Sequence, residues 1–215
     1  SRDYIAISRR CMTLMKKMMC LAEGIGILLI FLLVISVMLP KRPQGNLEEA
    51  DVFVILGFGL KVIGGRGAPG CSNQALATWA VENNPDHKPM IVQWGVYLAL
   101  QEMADQHPDL LPLDDWVISL PHSPQVNVDT RGAVLQSWIL MEQAGYTTPV
   151  VVSHPLQLRR AGWLFEQLPI EQVIIPDIEG IPFDRKSVHP QTRSIVRYIP
   201  FEVLARLIGF SLGWY

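Results

Sequence analysis

An uncharged, almost entirely apolar run of sixteen residues, Gly24 to Leu39, constrains this chain more than any other feature. Extended back to Met18, the run has 22 residues and includes one charge, Glu23. A helix rises about 1.5 Å per residue, so this length crosses the roughly 30 Å hydrocarbon core of a bilayer. The sequence therefore predicts a transmembrane helix over residues 18–39.

A cleaved signal peptide and a buried core helix are the two other interpretations of this run. A signal peptide has a shorter apolar core and small residues at its cleavage site, whereas this run ends in Val-Met-Leu-Pro. A core helix usually carries polar positions at regular spacing, and the run has almost none. We therefore favour a retained membrane anchor, in which Glu23 reaches the headgroup region.

Basic residues flank the run unevenly. Arg9, Arg10, Lys16 and Lys17 precede it, while the two cations that follow it are soon joined by acidic residues. Because lysine and arginine are enriched in cytoplasmic segments, we expect residues 1–17 in the cytoplasm. The chain from about residue 40 onward then lies on the other side, with residues 40–49 as a short linker.

Length and composition limit the classes of function that the residues after the apolar run could have. About 170 residues suit one domain with its own hydrophobic core. A net charge of −2 and a pI of about 6.2 give no sign of nucleic-acid binding. Cys71 is the one cysteine beyond the run, so we expect no intrachain disulfide there. The five histidines show no metal-ligand spacing, and we predict neither a metal nor a cofactor.

Short apolar segments alternate with helical segments after residue 50. The predicted strands are 52–56, 90–93, 116–120, 150–153 and 172–175, and the predicted helices are 72–82, 96–106, 129–145, 156–167 and 199–212. Apolar strands joined by crossover helices are typical of a parallel sheet with helices on both faces. We therefore predict an α/β fold with a Rossmann-like sheet, preceded by the transmembrane helix. The last helix is mostly apolar, and we expect it to pack on its own sheet, with a partner or the membrane surface as alternatives.

Ligands of such sheets bind where the strands end, so the candidate site residues follow the strands. Gly57 and Gly59 follow the first strand, where glycines let backbone amides approach an anion. Arg66 comes next and could pair with phosphate or carboxylate. The alternative is a surface loop with an exposed arginine.

Other candidates lie around the third and fourth strands. Asp129 and Thr130 precede a helix, where N-capping explains them at least as well as binding does. Ser153 and His154 end the fourth strand, and Arg160 follows in the next helix. A lone histidine is more often structural than catalytic, so we assign no catalytic residue.

Several short motifs succeed one another along residues 51–215. They are Asp51 to Leu56 followed by Gly57 and Gly59 with an arginine shortly after, Asp129-Thr130 before a helix, a strand leading to Ser153 and then Arg160-Ala161, and Arg197 with Glu202 near the last helix. Their order and spacing resemble the YdcF/SanA/ElyC-type family of bacterial envelope proteins. The resemblance implies a Rossmann-like domain in the periplasm, held by an anchor in the inner membrane, and a link to envelope integrity and lipid-carried polysaccharide precursors.

The chain departs from this family pattern at chemically important positions. Gln93-Trp94-Gly95 replaces Ser-Gly-Gly, Gly132 and Ala133 replace a glutamate and an asparagine, and Gln157 replaces a histidine. These changes remove the main general acid–base groups. We therefore expect a non-catalytic or weakly active component of an envelope or membrane-protein complex. The alternative is an envelope enzyme or binding protein that acts on a phosphate-bearing precursor. The expected partners are the lipid bilayer, other envelope proteins and a phosphorylated small molecule.

Overall fold

The computed structural model describes residues 2–39, 41–107, 113–121 and 129–214, and the chain divides into two units, Ser1–Leu39 and Pro40–Tyr215. The first unit is one helix, α1 (Arg2–Met38). Within α1, Lys16–Ser36 is long and apolar enough to cross a membrane, by length and composition. None of the described side chains in that stretch is buried.

The second unit alternates strands and helices. Its strands are β1 (Val52–Ile55), β2 (Lys61–Ile63), β3 (Arg66–Ala68), β4 (Met90–Val92), β5 (Val117–Ser119) and β6 (Pro149–Val152). Its α-helices are α2 (Cys71–Glu82), α3 (Trp94–Gln106), α4 (Thr130–Ala144), α5 (Pro155–Glu166) and α6 (Ile195–Ser211). Short 3₁₀ helices cover Leu47–Glu49, Leu113–Asp115 and Pro190–Arg193.

A four-stranded parallel sheet in the order β5-β4-β1-β6 forms the centre of this unit. Val54 of β1 pairs with Ile91 of β4 on one side and with Val151 of β6 on the other. Every side chain of β1, β4 and β6 is buried. Because successive side chains point to opposite faces, both faces of the sheet are covered. The prediction of an α/β fold with a parallel sheet is confirmed.

The predicted fifth strand, residues 172–175, is wrong as a regular strand. Ile174 forms an isolated parallel bridge with Val150, and Ile175 forms an antiparallel bridge with Gln44. Pro176 follows and has no amide hydrogen with which to continue the pairing.

The glycine-rich segment after β1, predicted as a loop, contains the antiparallel hairpin β2-β3. Gly64 and Gly65 form its turn, with φ of +57° and +78°. Two successive positive φ values are what a tight hairpin turn requires, and glycine adopts them without strain.

Helix starts agree with the sequence in one case and not in another. Asp129 is the N-cap of α4, since its Oδ1 accepts the Gly132 amide at 2.7 Å, as predicted. Ser72 and Asn73 are N-cap residues by type and the sequence favours one of them as the cap of α2, but the N-cap is Gly70. Both side chains lie in the first turn of the helix and bond to other segments of the chain.

The expectation for the last helix is also wrong in part. Helix α6 begins at Ile195, before the predicted residue 199. Its buried residues are Tyr198, Glu202, Arg206 and Gly209, so a polar stripe faces the domain. The apolar side of α6 is exposed.

The start of the central strand is tied to β6 by a carboxylate. Asp51 accepts the amides of Thr147 and Thr148, the latter at 3.1 Å. Replacing Asp51 with alanine leaves two amides unpaired, and we expect a loss of about 1–3 kcal/mol in the free energy of unfolding. Chemical denaturation of the full chain in detergent measures this loss. Asp86→Ala, at an exposed turn, serves as the control, and equal stability of the two variants would contradict the assignment.

Candidate functional site

A cavity of about 310 Å³ lies at the carboxyl ends of the parallel strands. Gly57, Gln93 and Leu120 follow β1, β4 and β5 respectively, and all three line it. Helix α5 contributes Gln157 and Arg160, and α6 contributes Tyr198 and Phe201. The cavity therefore occupies the place where the fold predicts a ligand site.

The backbone amides of the glycine loop are bonded to side chains. Gly57 donates to Gln93 Oε1 and Phe58 donates to Asn73 Oδ1, each at 2.8 Å. Asn73 also donates through Nδ2 to the Gly59 carbonyl at 2.6 Å. An anion that contacts the amides of Gly57 or Phe58 would have to displace these side chains. Gly57 and Gly59 line the cavity as predicted, but the loop is held as a wall rather than as an open cradle.

Gly59 allows the segment before α6 to approach closely. Its φ is +85°, and a Cβ there would lie 2.7 Å from Thr192 Oγ1 and 2.9 Å from Ser187 Oγ. Those two hydroxyls bond to each other at 2.8 Å. Ser187 Oγ also accepts the Leu60 amide at 3.2 Å. Because residue 59 is glycine, the loop after β1 can contact residues 187–192, the segment before α6.

Arg66 does not reach the cavity. It is exposed in β3, opposite Ile63 in the hairpin, and is absent from the cavity lining. The interpretation of a surface loop with an exposed arginine fits its position better than that of a phosphate ligand.

Asp129 and Thr130 both line the cavity. Asp129 is exposed at the rim and caps α4. Thr130 is buried, and its Oγ1 accepts from Gln157 Nε2 at 3.0 Å. This bond connects the start of α4 to α5 on the cavity wall.

Ser153 and His154 are buried and absent from the cavity lining. The His154 ring stacks on Phe58 with 3.9 Å between centroids, and its Nδ1 accepts the Leu156 amide at 3.3 Å. Loss of hydration lowers the pKa of His154 to about 4, and the backbone of Ile181 opposes this only in part. A neutral, stacked imidazole that caps α5 has a structural role.

Arg160 connects the cavity to a buried ionic cluster. Its Nε donates to Glu202 Oε1 and Oε2 at 3.1 and 3.0 Å, and Arg206 Nε donates to Glu202 Oε1 at 3.0 Å. The Tyr198 hydroxyl donates to Glu202 Oε2 at 2.9 Å. Burial, then the charge of Glu202, raises the pKa of Tyr198 well above its usual range, so the phenol stays protonated. Two guanidinium groups share this carboxylate, and Arg160 also faces the cavity.

The sequence did not identify several residues of the cavity wall. They are Asn73, Gln136, His189, Gln191, Thr192, Tyr198 and Phe201. Five of them precede or belong to α6, in a stretch whose start has no helical or strand periodicity. One signal was available, because Glu202 and Arg206 are four residues apart in an otherwise apolar helix. Charges at that spacing in such a helix indicate a buried ion pair.

Most of the polar side chains that line the cavity are neutral. Carboxamides are the most frequent polar side chains in the lining. One of them, Gln136, has its Oε1 buried without a hydrogen-bond partner among the described residues. Burial lowers the pKa of His189, so its imidazole is neutral at pH 7. The described residues contain no group of three or more histidine, cysteine or acidic side chains that could hold a metal ion. The arrangement can bind an anion through Arg160 and hydroxyl groups through the amides.

No protein-family model, curated protein or solved structure matches the chain. Membership of the YdcF/SanA/ElyC-type family therefore stays a prediction from the motif residues.

Gly59→Ala tests the close approach at the loop after β1. We expect a loss of about 1–3 kcal/mol in the free energy of unfolding, because the new methyl group meets two hydroxyls in addition to the positive φ. Gly64→Ala is the matched control, since its φ is +57° but nothing lies within 4 Å of its Cβ. Chemical denaturation compares the two, and an equal loss would show that only the backbone matters.

His154→Phe tests the buried neutral imidazole. The pKa of about 4 in the folded state lies below the unfolded value of 6.5, so this contribution to stability is complete above about pH 6.5 and declines as pH falls toward 4. Phenylalanine keeps the ring stacking and cannot be protonated. We expect the stability advantage of the wild type over the variant to fall by about 2 kcal/mol between pH 7.5 and 5. Denaturation at the two pH values, with exposed His107→Ala as the control, measures this change, and a constant difference would contradict it.

Proposed function

We propose that the chain is a single-pass membrane protein whose C-terminal unit, a Rossmann-like domain, binds a phosphate-bearing precursor without turning it over. The position of Arg160 carries this proposal, because the residue is only 8% exposed yet lines the cavity at the carboxyl ends of the strands. The strand order, with β1 between β4 and β6, supports a Rossmann-like topology, in which successive strands are added first on one side of β1 and then on the other.

The electrostatics of the cavity favour an anion. Glu202 holds Arg160 in place through both carboxylate oxygens, so the guanidinium is positioned before a ligand arrives. The cluster of Arg160, Arg206 and Glu202 carries one more positive than negative charge. In a buried setting this charge interacts strongly with a phosphate, because water screens it little.

The rest of the wall suits a ligand with hydroxyl groups. Amide side chains both donate and accept, which matches sugar hydroxyls, and Trp94 and Phe201 supply aromatic surface. The unpartnered Gln136 Oε1 is an acceptor for one such hydroxyl. A sugar phosphate or a nucleotide sugar therefore fits the lining better than a simple inorganic anion.

The same wall supports binding without catalysis. In the YdcF/SanA/ElyC-type pattern a glutamate and a histidine carry the acid–base groups, and Gly132 and Gln157 stand at those positions in this chain. Gln157 is bonded to Thr130. His154 is absent from the lining. The Asp129 carboxylate caps α4, which uses one of its oxygens.

The proposal includes the location of the protein in the cell. Helix α1 is long and apolar enough to span a bilayer, and cations dominate the segment before its apolar part. This supports an inner-membrane protein with a cytoplasmic N-terminus and a periplasmic domain, as a component of an envelope complex.

Thermal unfolding of the full chain in detergent, with sugar phosphates, nucleotide sugars and polyprenyl phosphates, tests the proposal. A ligand at a hundred times its Kd adds about 2.7 kcal/mol of stability, which raises Tm by several degrees. We expect Arg160→Met to abolish this rise. Arg66→Ala, which removes an exposed arginine outside the cavity, should retain it.

Because Arg160→Met also removes a partner of Glu202, Gln136→Leu gives a second test that leaves the ionic cluster intact. We expect this variant to weaken binding of hydroxyl-bearing phosphates more than binding of inorganic phosphate. An equal rise in Tm for the wild type and both cavity variants, or no rise with any phosphate, would contradict the proposal.

A further inference from the structure

Helix α6 has its polar and apolar sides reversed relative to a helix on a water-soluble domain. Glu202 and Arg206 are fully buried, and Tyr198 is 2% exposed. The opposite side, which we call the outer face of α6, is apolar and exposed; it comprises Val196, Leu204, Leu207, Ile208 and Phe210. A surface helix normally turns its apolar stripe inward and its charges outward. The outer face of α6 therefore suits an apolar environment and not water.

The exposure of this face is extensive and continuous along the helix. Val196 is 76% exposed, Leu204 55% and Leu207 50%. These residues recur at the spacing of one helix side, so they form one patch rather than scattered positions. A patch of this kind marks a contact with a protein or a membrane.

The charges beside the patch favour a lipid surface. The one acidic residue of α6, Glu202, is buried, while Arg197 is exposed near its start. Helices that lie in the interface of a bilayer combine an apolar face with exposed cations, which meet anionic headgroups.

The course of the chain favours the same occupant. Two residues separate the end of α1 at Met38 from Lys41. Lys41 forms an ion pair with Glu166 of α5, and Gln44 pairs with Ile175. The contacts of the C-terminal unit thus begin within a few residues of the end of α1 along the sequence.

Helix α5, which holds Lys41, also packs against α6. Trp163 of α5 meets Phe210 of α6 edge to face, with 6.3 Å between ring centroids, and Arg160 pairs with Glu202. The helix that pairs with Lys41 is therefore also the helix that packs against α6.

We propose that the outer face of α6 lies on the bilayer that α1 crosses, with Leu204, Leu207 and Ile208 in the interfacial zone. This inference rests on the proposed membrane anchoring by α1 and is independent of the ligand in the cavity. It gives the C-terminal unit a second attachment to the membrane, which fixes the orientation of the domain rather than only its distance.

Fluorescence quenching by brominated lipids tests this contact in the full chain. The three native cysteines are replaced by serine, and a nitrobenzoxadiazole probe is attached at Leu204→Cys, at Leu28→Cys within α1, or at exposed Asp105→Cys on α3. The protein is reconstituted in vesicles of phosphatidylcholine and phosphatidylglycerol. We expect brominated lipid to quench the probe at residue 204 to a degree comparable with residue 28, and to leave the probe at residue 105 unchanged.

A charged residue introduced into the outer face of α6 tests whether this face contacts lipid. Leu207→Glu should reduce the quenching at residue 204, whereas Ile139→Glu, at a 46% exposed residue of α4, should not. Both sites are exposed, so neither change disturbs the core.

The outcomes separate the two proposals. Quenching at residue 28 without quenching at residue 204 overturns the contact of α6 with lipid and leaves the anchor intact. Absence of quenching at both overturns the anchor as well. Cross-linking of residue 204 to a second copy or to a co-purifying protein, without lipid quenching, assigns the face to a protein partner and also overturns the inference.

Discussion

Glu202 accepts hydrogen bonds from two guanidinium groups and a phenol, and three features of the C-terminal unit depend on this carboxylate. It joins α5 to α6, it positions Arg160 at the cavity, and it turns the polar side of α6 inward. A buried carboxylate is costly to dehydrate, and the cost is offset only while its donors stay in place. The cation–π contact of Arg206 with Trp163, at 5.2 Å, adds a further reason for this register of the two helices. The cavity and the outer face of α6 are thus opposite sides of one arrangement.

A second set of contacts closes the cavity from the loop side. The amides after β1 are satisfied by Asn73, Gln93 and Ser187, which belong to α2, to the start of α3 and to the segment before α6. Polar side chains here replace the backbone pairing that a strand would supply. A loop held in this way keeps its shape without a ligand, which reduces the entropy lost on binding.

The sequence predicted what depends on local pattern. Local signals in the sequence are confirmed at the apolar runs of β1, β4 and β6 and at the N-cap Asp129. The sequence also indicates Gly145 as the C-cap of α4, and the structure has it there. What it could not predict depends on residues far apart in the chain. Arg66 and Arg160 are equally plausible anion ligands by type, and only the packing of α5 against α6 distinguishes them. Gln157 was interpreted from the sequence as the loss of a histidine, and only the structure shows that it bonds to Thr130. The sequence also indicates a loop over residues 121–128, of which 122–128 lie outside the described residues.

The pairing of β1 with β6 has a consequence for how the chain reaches its native state. Asp51 and Thr148, whose bond closes this pairing, are 97 residues apart in sequence. The central strand cannot gain its second neighbour until these 97 further residues have been synthesised. Strand pairs of such separation form slowly, because the entropy of a long loop must be lost first. During that interval the apolar edge of β1 is open, so the nascent domain depends on rapid delivery of its C-terminal half, or on a chaperone, to avoid aggregation.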